Sequence, residues 1–269
     1  MSQTGTLSEL FQAAWPTILV LDLSRYLIAA GGLASVLALV ARPIAARRIQ
    51  HRRATSADIR REIGFSLSTV VLFSLVGFCV YAGSQHGMFS IYGSALPGSG
   101  QLLFEFALLV LLHDTWFYWA HRGMHTRWLF RRVHRLHHKS RTPTPWAAYS
   151  FAPPEAIIEA AFLPVAGLLI STHEITVLLF VSHMILRNVI GHAGFEIFPG
   201  WWLRVPLVRC VTTTTHHDLH HSNGGYNFGL YFTWWDRCMN TEHPEYRSRF
   251  ITATQSRGSF KRNDKENKA

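Results

Sequence analysis

Thirteen of the sixteen histidines fall between residues 113 and 221, and three tight patterns hold most of them. They read His121-Arg-Gly-Met-His125, His134-Arg-Leu-His137-His138 and His217-Asp-Leu-His220-His221, the last preceded by His216. Spacings of three and four residues put side chains on one face of a helix. An H-x-x-H-H box on a helix is therefore expected to aim its three imidazoles in one direction. Neutral imidazole suits iron, zinc, copper or nickel. The three patterns supply eight rings, more than one tetrahedral or octahedral ion can use, so two ions are the natural count. His192 is a ninth candidate ligand, and Asn188, one helical turn before it, a weak or water-mediated one. Asp114, seven residues before His121 and near the same stripe, is expected to sit behind the ligands and orient a His tautomer. His113 lies eight residues before His121, about 12 Å deeper on a helix, too deep for that shell. A snorkelling or interfacial role would account for any single His, but not for three concordant patterns. No H-E-x-x-H is present, which disfavours a metalloprotease, and no Glu has a His three residues on, unlike the soluble di-iron bundles.

The elements that must position these rings are apolar. Of 269 residues 48% are hydrophobic and 16% charged, which excludes a disordered chain. Three distant cysteines (Cys79, Cys210, Cys238) fit neither a C-x-x-C pair nor a disulfide framework. The formal charge is +10, which invites a nucleic-acid reading. Here, however, the arginines stand in blocks beside apolar runs, the placement of a membrane protein with no nucleic-acid partner. Residues 65–83 carry no charge and are long enough to span hydrocarbon. An earlier span over 17–41 contains Asp22 and Arg25, three apart and able to pair on a helix. Residues 101–121 make a third span. Two shorter apolar limbs, 160–172 and 175–186, form either two strained spans or a re-entrant hairpin.

Segment 42–62 holds seven Arg, segment 122–141 six Arg and one Lys, and segment 84–100 neither Lys nor Arg. The positive-inside rule then puts the basic segments and everything after Arg187 in the cytosol. Every residue of the His patterns comes to that one boundary. The expected architecture is an all-α integral-membrane bundle of about four transmembrane helices, the last two a short hairpin, with a cytosolic helical cap holding a His-rich dimetal site. Residues 1–100 form the N-terminal transmembrane region, 101–251 the catalytic His-box domain and 252–269 a polar mobile tail. Aromatic residues at 116–119, 201–202 and 234–235 form an interfacial belt or line a flat apolar slot, and Asp236 and Arg237 are expected to pair.

The stretches HDTWFYWAHRGMH, RVHRLHHKSRTPTPWAAYSFAPPE and THHDLHHSNGGYNFGLYFTWWDR resemble the His boxes of the fatty acid hydroxylase/sterol desaturase superfamily, the integral-membrane non-haem di-iron oxygenases. The likeness runs from about residue 111 to 250 and is greatest to sterol C-5 desaturase-like proteins, although Thr126 stands where those proteins carry a second His after the first box. It implies two ferrous ions (zinc being able to load in recombinant protein) that activate O2 and remove hydrogen from an unactivated lipid C–H, giving an alcohol or an alkene. It also implies a lipid substrate entering from the bilayer. Neither a G-x-G-x-x-G nor a haem-attachment sequence is present, so electrons are expected from a separate ferredoxin or cytochrome b5 type protein. The expected setting is a bacterial inner membrane or the endoplasmic reticulum, with the metal site on the cytoplasmic side. The rival readings are a fatty acyl or polar-lipid hydroxylase and, from another class, a His-rich membrane metal or haem-binding protein.

Overall fold

The computed structural model describes residues 6–93 and 95–255. Three long helices come first: α1 (Leu7–Val40), α2 (Ser56–Gln85) and α3 (Ser99–Met124). Two short ones follow, α4 (Pro153–Ala160) and α5 (Phe162–Leu169), then α6 (Glu174–Gly191), α7 (Thr214–Ser222), α8 (Trp234–Cys238) and α9 (Tyr246–Thr254). Helices α1, α2, α3 and α6 are long and apolar enough to cross a membrane, so the chain is a multi-pass membrane protein built mostly of helix.

Local sequence sets the ends. Capping boxes start α1 (Thr6 with Glu9) and α2 (Thr55 with Asp58), satisfying amides that have no partner within the helix. Helix α1 runs unbroken for 34 residues through a π turn at Leu27–Gly31, longer than the span expected over 17–41. Asp22 and Arg25 pair within it, as their spacing requires.

The hairpin has a definite geometry. Pro164 lacks an N–H, and its ring excludes the carbonyl four residues back. That residue is Ala160, where α4 ends. The broken limb α4–α5 covers about 25 Å at 1.5 Å per residue. It leads to strand β2 (Thr172–His173), which pairs in parallel with β1 (Ile91–Tyr92) in the loop between α2 and α3. The limb therefore reaches the level of that loop and does not turn back midway. Glu105 of α3 locks this end by accepting from the His173 amide (2.9 Å) and from the hydroxyls of Thr176 and Tyr92 (2.8 Å each).

At the opposite end the helices grip the turn Pro145–Tyr149. The Tyr26 and Ser66 hydroxyls both donate to the Trp146 carbonyl (3.0 and 2.8 Å), and Thr144 donates to buried Glu62. The core beneath this turn joins Tyr26, Val70, Tyr149, Ile185 and Val189. Helix α9 continues through Thr254, into the region expected as a polar tail; residues 256–269 lie outside the described residues.

Asp114 differs from expectation. Fully buried, it accepts from the amides of Tyr231 and Phe232 (2.9 and 3.1 Å) and from the Trp234 indole (2.5 Å). No imidazole is among its partners. The carboxylate is the nearest acceptor for the loop that enters α8, and that demand outweighs any pairing with a ring. Replacing Asp114 by Ala leaves three buried donors unpaired and should cost about 3 kcal/mol, read as a lower denaturant midpoint of the purified protein. A loss below about 1 kcal/mol would contradict this anchoring role.

Candidate metal centre

All nine expected rings come together, and in two groups. His121, His125, His134, His138 and His220 form one; His137, His192, His217 and His221 form the other. Within each group the candidate ligand atoms lie within 4.8 Å of one another. In the first group the Nε2 atoms of His121 and His134, of His138 and His134, and of His220 and His138 are each 3.1 Å apart. In the second, His192 Nε2 lies 3.1 Å from His217, 3.2 Å from His221 and 3.4 Å from His137.

The boxes do not aim all their rings one way. In each H-x-x-H-H box the first and last His share a group, and the middle one crosses to the other. His134 and His138 face the first group and His137 the second; His217 and His221 face the second and His220 the first. Residues four apart on a helix stay on one face, while neighbours point about 100° apart. A box lying between two sites therefore serves both. The second box is also not a regular α-helix, since a π turn (Phe130–His134) runs towards a 3-10 turn (His137–Lys139).

The backs of the rings fix their tautomers. His121 Nδ1 meets the Phe228 carbonyl (2.9 Å), His192 Nδ1 the Asn188 carbonyl (2.7 Å) and His220 Nδ1 the Tyr226 carbonyl (2.7 Å). A carbonyl only accepts, so each Nδ1 must donate, and each Nε2 presents a lone pair to its neighbours. His134 Nδ1 is held at 2.7 Å by Glu155, itself buried. Lone pairs facing at 3.1–3.4 Å repel unless a cation lies between them. Nitrogens bound at about 2.1 Å to one ion stand about 3.0 Å apart in octahedral and about 3.4 Å apart in tetrahedral geometry, so the rings fit metal ions. Burial first, then the crowding of neighbouring rings, holds His134, His137, His217, His220 and His221 well below the ordinary imidazole range. They are therefore neutral and ready to ligate. Gly224 closes the first group. A Cβ there would stand 2.8 Å from the His125 ring, so only glycine leaves that ring its place.

Other expected residues stand elsewhere. The Asn188 amide donates to the Ala148 carbonyl (2.7 Å), and the Asn188 backbone carbonyl accepts from His192 Nδ1. His216 joins neither group; its ring faces Asp236 at 3.3 Å and Tyr246. Asp236 and Arg237 do not pair. Asp236 turns inward to the amides of Phe228 and Gly229, and Arg237 outward to Glu242 (2.9 Å), because adjacent helical positions diverge. Glu155 closes the second resemblance stretch, but nothing in local spacing marked it as the partner of His134, twenty-one residues earlier. The carbonyls of Phe228 and Tyr226 carry no side-chain signal at all.

A cavity of about 310 Å³ lies between α1, α2, α3 and α6 and runs from Glu174 to Asn188. Phe117 and Phe151 line its inner end. The Phe117 ring packs on His121 (centroids 5.0 Å) and the Phe151 ring on His137 (5.2 Å), so one aromatic wall touches each His group. Of the four aromatics at 116–119, Phe117 lines this cavity, while Trp119 is 46% exposed on the outer surface.

The fatty acid hydroxylase family model matches residues 106–241, the segment that carries all nine rings. Similar proteins include human lathosterol oxidase (27% identical, covering 70% of this chain and 62% of the relative). A Delta(7)-sterol 5(6)-desaturase of Gibberella zeae is 31% identical over 71% of this chain and 58% of its own. The C-4 methylsterol oxidase of Schizosaccharomyces pombe is 29% identical over 58% and 54%. The chain thus spans about three fifths of the length of these curated relatives. No solved structure matches it significantly. Over the stretch that builds both His groups, and by more than half of its length, this chain belongs to the fatty acid hydroxylase family.

Proposed function

We propose that the protein is a membrane-bound oxygenase that hydroxylates or desaturates a sterol-like lipid with O2 and external electrons, using two iron ions held by the two His groups. The observation that carries this reading is the pair of all-imidazole groups with inward lone pairs at 3.1–3.4 Å. His121, His125, His134, His138 and His220 would hold one ion, and His137, His192, His217 and His221 the other. The ions supply the O2 and C–H chemistry. The chain's own residues do the rest. The carbonyls behind His121, His192 and His220 keep Nδ1 protonated and Nε2 free, Glu155 orients His134, and Phe117 and Phe151 keep water from the inner end of the cavity. The apolar cavity positions one carbon near the ions. Basic segments flank the His boxes, so the centre faces the cytosol by the positive-inside rule. Exposed Arg127, Arg131, Arg132 and Arg135 stand beside the second box; they suit an acidic protein donor of the ferredoxin or cytochrome b5 type.

Metal analysis of the purified protein should give two ions per chain. His137→Ala and His220→Ala should each lower that number and abolish turnover, whereas full activity in either variant would overturn the reading. Gly224→Val pushes on His125, with His138 of the same group next to it, and should remove the ion of the five-His group while the other stays. Product mass then distinguishes the outcomes: a gain of about 16 units for hydroxylation, a loss of about 2 for desaturation.

The buried imidazoles also set a pH dependence. His192 titrates at about 4 when folded, mainly through burial, against about 6.5 in an unfolded chain. Between these values the unfolded state binds more protons, so stability rises with pH there. The metal-free protein should hold its full stability above pH ~6.5 and lose it progressively towards pH ~4, seen as a falling melting temperature. A flat profile through that window would contradict the buried, neutral state of these rings.

A further inference from the structure

One buried polar group beside the cavity takes no part in the metal centre. His113 lines the cavity wall on α3 and is only 2% exposed. Its Nδ1 has no hydrogen-bond partner among the described residues. Around the ring stand Phe162 (4.8 Å), Phe180 (5.2 Å) and Tyr231 (5.5 Å), whose apolar faces do not replace a hydrogen bond. A buried polar side chain is normally satisfied, and leaving it unpaired is costly. Glu159 of α4 lines the same cavity, one turn before Phe162, the residue packed edge-on against His113. An imidazole and a carboxyl thus meet one apolar space from neighbouring helices.

We propose that this cavity takes a neutral lipid bearing a hydroxyl, and that His113 and Glu159 hold that hydroxyl by hydrogen bonds. The inference rests on the oxygenase reading and adds a specificity device to it. Charge selects the ligand class. Among the described residues the only Lys or Arg lining the cavity is Arg25, already paired with Asp22. The other acids along it are Glu159 and Glu174. A carboxylate or phosphate buried here would meet acids and no free cation, an expensive arrangement. A hydroxyl both donates and accepts, and it satisfies an imidazole and a carboxyl without adding charge.

Depth fits as well. His113 precedes His121 by eight residues, about 12 Å along α3. Phe180, packed on His113, precedes Asn188 by the same eight on α6. The cavity wall from Glu174 to Asn188 measures about 21 Å by the same rise. The hydroxyl is thus held near mid-cavity, with the carbon frame of the lipid running from it to the Phe117–Phe151 wall.

The test is binding of tritiated cholesterol to the purified full-length chain in detergent micelles, competed by cholesterol, its 3-methyl ether and oleic acid, with metal content measured in parallel. Cholesterol should bind about five- to tenfold more tightly than the ether or the fatty acid, the worth of one or two net hydrogen bonds. His113→Phe, which keeps the ring volume, and Glu159→Leu should each narrow that preference to less than about twofold, with metal per chain unchanged; Glu159→Gln, which can still hydrogen-bond, should retain it. Equal binding of alcohol and ether, tighter binding of oleic acid, no cholesterol binding, or an undiminished preference in His113→Phe overturns the proposal. Should either variant fail to fold, the wild-type ligand series and Glu159→Gln decide it. Wild-type protein that keeps the preference but binds no iron under iron loading would instead sink the oxygenase reading alone.

Discussion

The structure depends on a repulsion that the protein alone does not relieve. Nine imidazoles are packed so that unprotonated nitrogens face one another at little more than 3 Å, in surroundings too buried for protonation to separate them. Such crowding is unfavourable without a cation and strongly favourable with one. Holding the rings in that state takes structure on every side: carbonyls and a carboxylate behind the Nδ1 atoms, a glycine where a Cβ would not fit, and a helical frame stiff enough to resist relaxation.

The frame answers to that demand. Helix α3 brings His121 and His125 from the membrane side, α6 delivers His192 at its end, and α7 adds three rings from the last box. The segment that follows α7 folds back to supply the carbonyls of Tyr226 and Phe228, and it is pinned to α3 by Asp114 and to α8 by Asp236. Buried carboxylates that touch none of the nine rings thereby determine which way two of those imidazoles point. The same helices that place the rings leave an apolar cavity ending on Phe117 and Phe151, so the His groups and the apolar space share their walls.

Much of this was legible in the sequence. All nine candidate ligands follow from type and spacing, and the charge-free run at 65–83 and the hairpin limbs foretell the membrane helices. What spacing could not give was the division of labour within each box, because a one-dimensional pattern does not say whether one site or two lies beside it. His137 parts from His134 and His138 across π and 3-10 turns, and His220 parts from His217 and His221 on a regular helix. Asp114, expected to orient an imidazole, anchors the loop that enters α8, and the Asn188 amide donates to the Ala148 carbonyl. Apart from the Trp234 indole, these partners are backbone groups 40 to 118 residues away in sequence, and long-range backbone pairing leaves no local trace. Pro164 did carry a readable signal, a proline inside an apolar limb, and it breaks the limb as its missing N–H requires.

The central claim, that two all-imidazole ion sites exist, is tested most directly by X-ray absorption on the iron-loaded protein. The account predicts a first shell dominated by nitrogen at about 2.1 Å with the outer-shell scattering of several imidazole rings per ion. A first shell of sulfur or of carboxylate oxygen, without imidazole scattering, would contradict it.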